Sequence, residues 1–158
     1  MSGDIYDLQT YEPRRGIGHL LSRVRAELLL ALDRELGADE LLSTLEVSSA
    51  QFVILVTLSH GGAKSASDLC KGIQYDAGAM TRMLDRLEEK GLLRRSRDAS
   101  DRRIVNLELT EKGIAAMPRM REASLRVLNR FLQGFTKTEA RQLEGFLARM
   151  LENAPRSA

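Results

Sequence analysis

Residues 65–110 read SASDLCKGIQYDAGAMTRMLDRLEEKGLLRRSRDASDRRIVNLELT. Ser65 can cap a short helix carrying Ala66, Leu69 and Ile73, with Asp68 in the first turn, where the helix dipole favours an anion. Gln74 and Tyr75 make a tight turn. Asp76 caps the next helix, which runs to Lys90 and stops at Gly91. Its apolar residues, Met80, Met83, Leu84 and Leu87, recur at helical spacing on one side. After Gly91 the period changes. Leu92 to Arg95 reads as a short strand and Ala99-Ser100-Asp101 as a turn. Val105, Leu107 and Leu109 then alternate with Ile104, Asn106 and Glu108, the period of two that marks a half-buried strand. Short helix, tight turn, amphipathic helix and hairpin make a winged helix-turn-helix.

Helices flank this unit. Upstream, Ile17, Leu20, Leu21, Val24, Leu28, Ala31 and Leu32 recur every three or four residues, to about Leu36, and Gly37 supplies a stop. A polar link holds Leu41, Leu42 and Leu45. Ser48 and Gln51 form a capping-box signature ahead of a helix through Phe52, Leu55, Val56 and Leu58, closed by Gly61-Gly62. Downstream, Thr110 caps a helix that Pro118 is expected to kink or interrupt. Gly134 ends its pattern. Thr136 and Glu139 form another capping box before a last helix with Leu143, Phe146, Leu147, Met150 and Leu151. The fold class is mainly α with a small β-hairpin wing.

Composition narrows the function classes. The chain has 158 residues, 43% hydrophobic and 29% charged, which is one domain's worth and too apolar for disorder. No apolar run approaches the ~20 residues that cross a bilayer. Met1 to Pro13 is polar and acidic, unlike a signal peptide. A single cysteine, Cys70, excludes an intramolecular disulfide framework and a zinc site of several thiolates. Two histidines, His19 and His60, leave little for acid–base or metal chemistry. The expectation is a cytoplasmic, non-enzymatic protein with no catalytic residue, no cofactor, no metal and no membrane partner. Cys70 reads as a small, inert, half-buried residue. A redox sensor acting through Cys70 is the alternative, because oxidation there would disturb the neighbouring amphipathic helix.

The net charge of +2 does not by itself point to nucleic acid. Its distribution is more informative. Between Arg94 and Arg103 stand five arginines and two aspartates. Such a stretch is commonly a solvated loop, but here it forms the wing beside an amphipathic helix. That helix projects Ala77, Gly78, Thr81, Arg82, Asp85 and Arg86 away from its apolar stripe. Ala77, Gly78 and Ala79 are small enough for the helix start, with Asp76, to come close to a DNA groove, and its dipole favours phosphate. Thr81 suits a phosphate, a base edge or a thymine methyl, and Arg82 a bidentate pair with guanine. Arg97, Arg102 and Arg103 suit the backbone or the adjacent minor groove. One of Arg94 and Arg95 is a further backbone candidate. The bland alternative is an intrahelical pairing of Arg82 with Asp85, or of Arg86 with Glu89.

The run Asp76 to Leu87 resembles the recognition helix of the MarR family of bacterial transcription regulators. The run Asp98 to Arg103, followed by Leu107 to Gly113, resembles that family's wing and the start of its next helix. The resemblance covers about Ile17 to Met150. It implies a homodimer whose terminal helices intertwine and set two winged helices on a palindromic operator of double-stranded DNA. Residues 1–13 would then be a flexible arm, 14–47 and 114–154 dimerisation regions, and 48–113 the DNA-binding domain. It further implies that Asp101 orients a wing arginine, that the outcome is repression, and that a small-molecule effector releases the DNA. The effector crevice would lie between the dimer lobe and the winged helix. His19, Arg23 and Phe52 are the candidates there, a cation and an aromatic wall for a small aromatic or phenolic ligand. A winged-helix module that binds another protein is the competing class.

Overall fold

The computed structural model describes residues 4–61, 65–73, 75–97 and 105–155. Among them the elements run α1 Ile17–Ala38, α2 Glu40–Leu45, α3 Ser49–Ser59, α4 Ala66–Ile73, α5 Ala77–Glu89, β1 Leu93–Arg97, β2 Val105–Leu109, α6 Glu111–Phe131 and α7 Lys137–Glu152. The strands pair antiparallel, with Leu93 opposite Leu109 and Arg97 opposite Val105. This is the mainly helical, winged helix-turn-helix architecture expected from residues 65–110. The hairpin tip, 98–104, lies outside the described residues, and with it the expected turn at Ala99 to Asp101.

Local chemistry sets most boundaries. Ser48 Oγ accepts the N–H of Gln51 at 3.3 Å while Gln51 Oε1 accepts the N–H of Ser48 at 3.2 Å. Thr136 and Glu139 close the same reciprocal box at the head of α7. Asp76 Oδ1 accepts the N–H of Ala79 at 2.8 Å and starts α5. Lys90 ends α5, and Gly91 follows at φ +68°, where a side chain would be strained.

Three expectations are corrected. Gly37 does not stop α1, which continues to Ala38. The stretch expected as a polar link is α2. Asp39 Oδ1 accepts the N–H groups of Leu41 and Leu42, each at 3.0 Å, and Leu42 is buried. Burial and a cap together hold even this short turn helical. Pro118 does not interrupt α6, whose assignment runs unbroken from Glu111 to Phe131. The neighbouring Met117 and Met120 are buried, so packing offsets the hydrogen bond that proline cannot donate.

One core serves all elements from α1 to α6. Leu69 of α4 and Met80, Leu84 and Leu87 of α5 are buried with Ile54 and Leu55 of α3, and this fixes the angle between α4 and α5. Met80, Met117 and Met120 are core residues, and Met83 packs against the core. So does half-buried Cys70. The hairpin is tied back twice: the Thr110 N–H donates to the Leu92 carbonyl at 3.1 Å, and Thr110 Oγ1 donates to the Gly91 carbonyl at 2.6 Å. Gly113 sits against the Leu92 carbonyl so closely that a Cβ there would collide with it. Gly113→Ala is therefore expected to destabilise the fold by ~1–3 kcal/mol. Denaturant unfolding measures this, and an unchanged midpoint would refute the close approach.

Ion pairs join the lobes. Arg126 Nε meets Glu35 Oε1 at 2.6 Å and Arg119 Nε meets Asp39 Oδ2 at 3.1 Å, linking α6 to α1 and to the α2 cap. By contrast, α7 buries none of its residues. Phe146 is 56% and Leu151 75% exposed, and Leu20, Val24, Leu125 and Leu128 also face outward. No helix among the described residues is long and apolar enough to cross a membrane.

Candidate nucleic-acid interface

The interface is built on α5. Burial of Met80, Leu84 and Leu87 turns the opposite face outward, and Asp76, Ala77, Gly78, Thr81, Arg82, Asp85 and Arg86 are exposed on it. Ala79 is half-buried at the edge of that face. The carboxylate of Asp76 is engaged in capping, so this residue shapes the helix start and offers no donor. Thr81 Oγ1 donates to the Ala77 carbonyl at 2.8 Å, which leaves its oxygen lone pairs and methyl outward. A Cβ at Gly78 would stand 3.2 Å from Asp76 Oδ1 and 3.5 Å from Arg82 Nη1, so glycine leaves the guanidinium room beside the first turn.

The arginines divide into two groups. Arg94 and Arg95 are pinned. Arg94 donates from Nε and Nη2 to Glu108 Oε2 at 2.9 and 2.7 Å, across the pair that the strand register makes. Arg95 Nη1 lies 2.7 Å from Asp85 Oδ1 and 2.7 Å from Glu88 Oε2. Burial works against the Arg95 charge, but the hydrogen bonds to Asp85 and Glu88 outweigh it, and the guanidinium holds its proton more firmly than usual. By sequence one of the two is a backbone candidate; in the structure carboxylates hold both. The second group is Arg82, Arg86 and Arg97. These are exposed, and none makes an ion pair among the described residues. The intrahelical pairings of Arg82 with Asp85 and of Arg86 with Glu89 are absent; Asp85 turns to Arg95 instead.

Behind this face, Lys90 Nζ donates to the Glu46 carbonyl and, at 3.5 Å, to Gln51 Oε1. Its burial lowers its affinity for a proton, with Glu46 opposing and Arg86 adding to the shift. Lys90 thus latches the end of α5 to the α2–α3 joint. Arg102, Arg103 and Asp101 lie outside the described residues.

The effector candidates do not come together in the well-formed cleft found among the described residues. That cleft, of about 750 Å³, lies between the end of α3, β2 and the first half of α6. Leu58, Leu107, Leu109 and Met117 line it, with Asn106, Glu108 and Arg121 among its polar groups. Arg121 Nη2 donates to Ser59 Oγ at 3.2 Å. Phe52 is buried in the core, Arg23 is exposed on α1 and His19 half-buried on α1; none of the three lines the cleft. Reading by sequence missed Arg121. Its only signal was a cation on α6, since Ser59 is far away along the chain.

The MarR family profile matches residues 47–105, from just before α3 to the first residue of β2. The HTH-type transcriptional regulator PecS of Dickeya dadantii is 36% identical over 142 residues, covering 88% of this chain and 81% of PecS. A crystal structure of a MarR mutant from E. coli complexed with operator DNA superimposes with a TM-score of 0.72 at 29% identity, over 85% of this chain and 93% of that one. Bordetella bronchiseptica BpsR, from a study of how 6-hydroxynicotinic acid regulates its DNA binding, gives 0.74 at 27% identity, over 92% and 99% of the chains.

Proposed function

The chain belongs to the MarR family of transcription regulators, and on that premise we propose that it is a dimeric, sequence-specific DNA-binding repressor released from its operator by a small molecule. One observation carries the DNA reading. On the outward face of α5, Arg82 and Arg86 make no ion pair among the described residues, while Arg94 and Arg95 on β1 are neutralised by carboxylates. Unpaired guanidinium groups on the exposed face of the second helix of a helix-turn-helix suit base edges and phosphates in the major groove. Thr81 and the small residues Ala77, Gly78 and Ala79 let that helix approach. Arg97, Arg102 and Arg103 would extend the contact along the backbone or into the minor groove, with Asp101 orienting the wing.

The dimer reading rests on α7, which buries none of its residues and leaves Leu143, Phe146, Met150 and Leu151 exposed. A second copy supplies a self-complementary face. Two α5 helices about one DNA turn apart would then read a palindrome. The effector reading rests on the cleft beside β2. Its apolar floor and the Arg121 guanidinium suit a small aromatic acid, the class to which the 6-hydroxynicotinic acid of the BpsR study belongs. In this reading Arg121 takes the role first given to Arg23. His19 and Arg23 would enter only if the partner's α1 brought them to the cleft.

Fluorescence anisotropy on DNA from the protein's own promoter region, across a salt series, tests the proposal. The expected result is binding that outcompetes random DNA and weakens steeply with salt. Binding equal to random DNA there and in a genome-wide selection would remove the operator reading and favour a protein-interaction module.

A further inference from the structure

We propose that Arg95 is a positioning residue for DNA recognition: it locks the hairpin to α5 and so sets the spacing between the two DNA-facing elements. The inference rests on the reading of α5 as the DNA-contacting helix. Three interactions converge on one strand residue. The Arg95 Nη1 bridges Asp85 Oδ1 and Glu88 Oε2, both at 2.7 Å, and the Arg95 backbone N–H donates to Glu88 Oε1 at 3.1 Å. Asp85 and Glu88 are three residues apart and share one side of α5. The Arg95 side chain is 28% exposed, so the bridge is partly withdrawn from water and less screened than a surface pair. Glu88 thereby holds both the backbone and the side chain of the strand.

The bridge joins the two elements that carry the groups that would touch DNA, Arg82 on α5 and Arg97 on β1. Asp85 follows Arg82 by three residues, and Arg97 follows Arg95 by two. The Thr110 bonds and the burial of Leu93 and Leu107 anchor the base of the hairpin, and the Arg95 bridge adds the link to α5 that fixes Arg97 relative to Arg82. Next to it, Arg94 is bonded to Glu108 and stiffens the hairpin itself. Arg94 and Arg95 therefore divide the task of rigidity: one within the wing, one between wing and helix.

The test uses the full-length protein on its best selected operator and on random DNA, beginning with the wild type. No operator preference in the wild type would remove the DNA reading and this inference with it. In Glu88→Gln a negative charge leaves the DNA-facing side. Electrostatics alone would strengthen binding to operator and random DNA together. Loss of positioning instead predicts operator affinity about tenfold weaker, the scale of a misplaced base contact, with random-DNA binding unchanged or tighter. Parallel strengthening, or unchanged operator affinity, would overturn the proposal. A second variant, Arg95→Met, is expected to lose about tenfold on operator at an unchanged salt slope. A slope shallower by about one would make Arg95 a phosphate contact and overturn it as well.

Discussion

Arg82→Ala is expected to weaken operator binding roughly ten- to a hundredfold, the ~1–3 kcal/mol of a bidentate base contact, and to leave thermal unfolding unchanged. The two halves of this expectation have separate grounds. Arg82 is exposed and makes no ion pair among the described residues, so its removal takes nothing from the fold. Surface changes of that kind stay within about 0.5 kcal/mol. Its neighbours Asp76 and Gly78 leave the guanidinium unhindered at the start of α5. Arg94→Ala is the useful contrast. It removes a cross-strand pair with Glu108 that is largely exposed and therefore worth only about 0–1 kcal/mol. Anisotropy with operator and calorimetric unfolding of both variants check the difference. Operator affinity of Arg82→Ala equal to wild type would show that α5 does not read bases through this residue.

Phe146→Arg should convert a dimer into 17.6 kDa monomers and lower operator affinity by about two to four orders of magnitude. Phe146 is 56% exposed on α7, and Leu143, Met150 and Leu151 surround it on a helix with no buried residue. An apolar face of that length needs a cover. In a closed dimer the new guanidinium would lie in an apolar interface beside Arg149, which already sits 5.7 Å from the Phe146 ring. A charge desolvated without a partner costs several kcal/mol. Once the copies separate, each half-site is bound alone, and the gain from linked binding is lost. Sedimentation across a concentration series reads the mass directly. A wild-type monomer, or a variant that remains dimeric, would rule out α7 as the interface.

Some of this was legible in the residues alone. Ser48, Asp76, Thr110 and Thr136 announce helix starts because a cap bonds within three residues of itself. The outward face of α5 follows from the spacing of Met80, Leu84 and Leu87, since helical period and burial are the same information there. The hairpin follows from the change to a period of two. The short α2 escaped because six residues carry too little periodicity, and what holds them is the Asp39 cap together with the burial of Leu42. Pro118 misled because a broken hydrogen bond is local while the packing that offsets it is not.

By itself, then, the sequence determined most helix starts, the outward face of α5 and the hairpin, all of which rest on contacts a few residues apart. Only the tertiary structure decided which arginines are available. Arg94 and Arg95 look like Arg82 and Arg86 along the chain. They differ because strand pairing sets Glu108 beside one, and the docking of β1 on α5 sets Asp85 and Glu88 beside the other. The same holds for the cleft, where Arg121 meets Ser59, and for Phe52, which packing takes into the core. Such assignments depend on three-dimensional neighbours that neither composition nor period encodes.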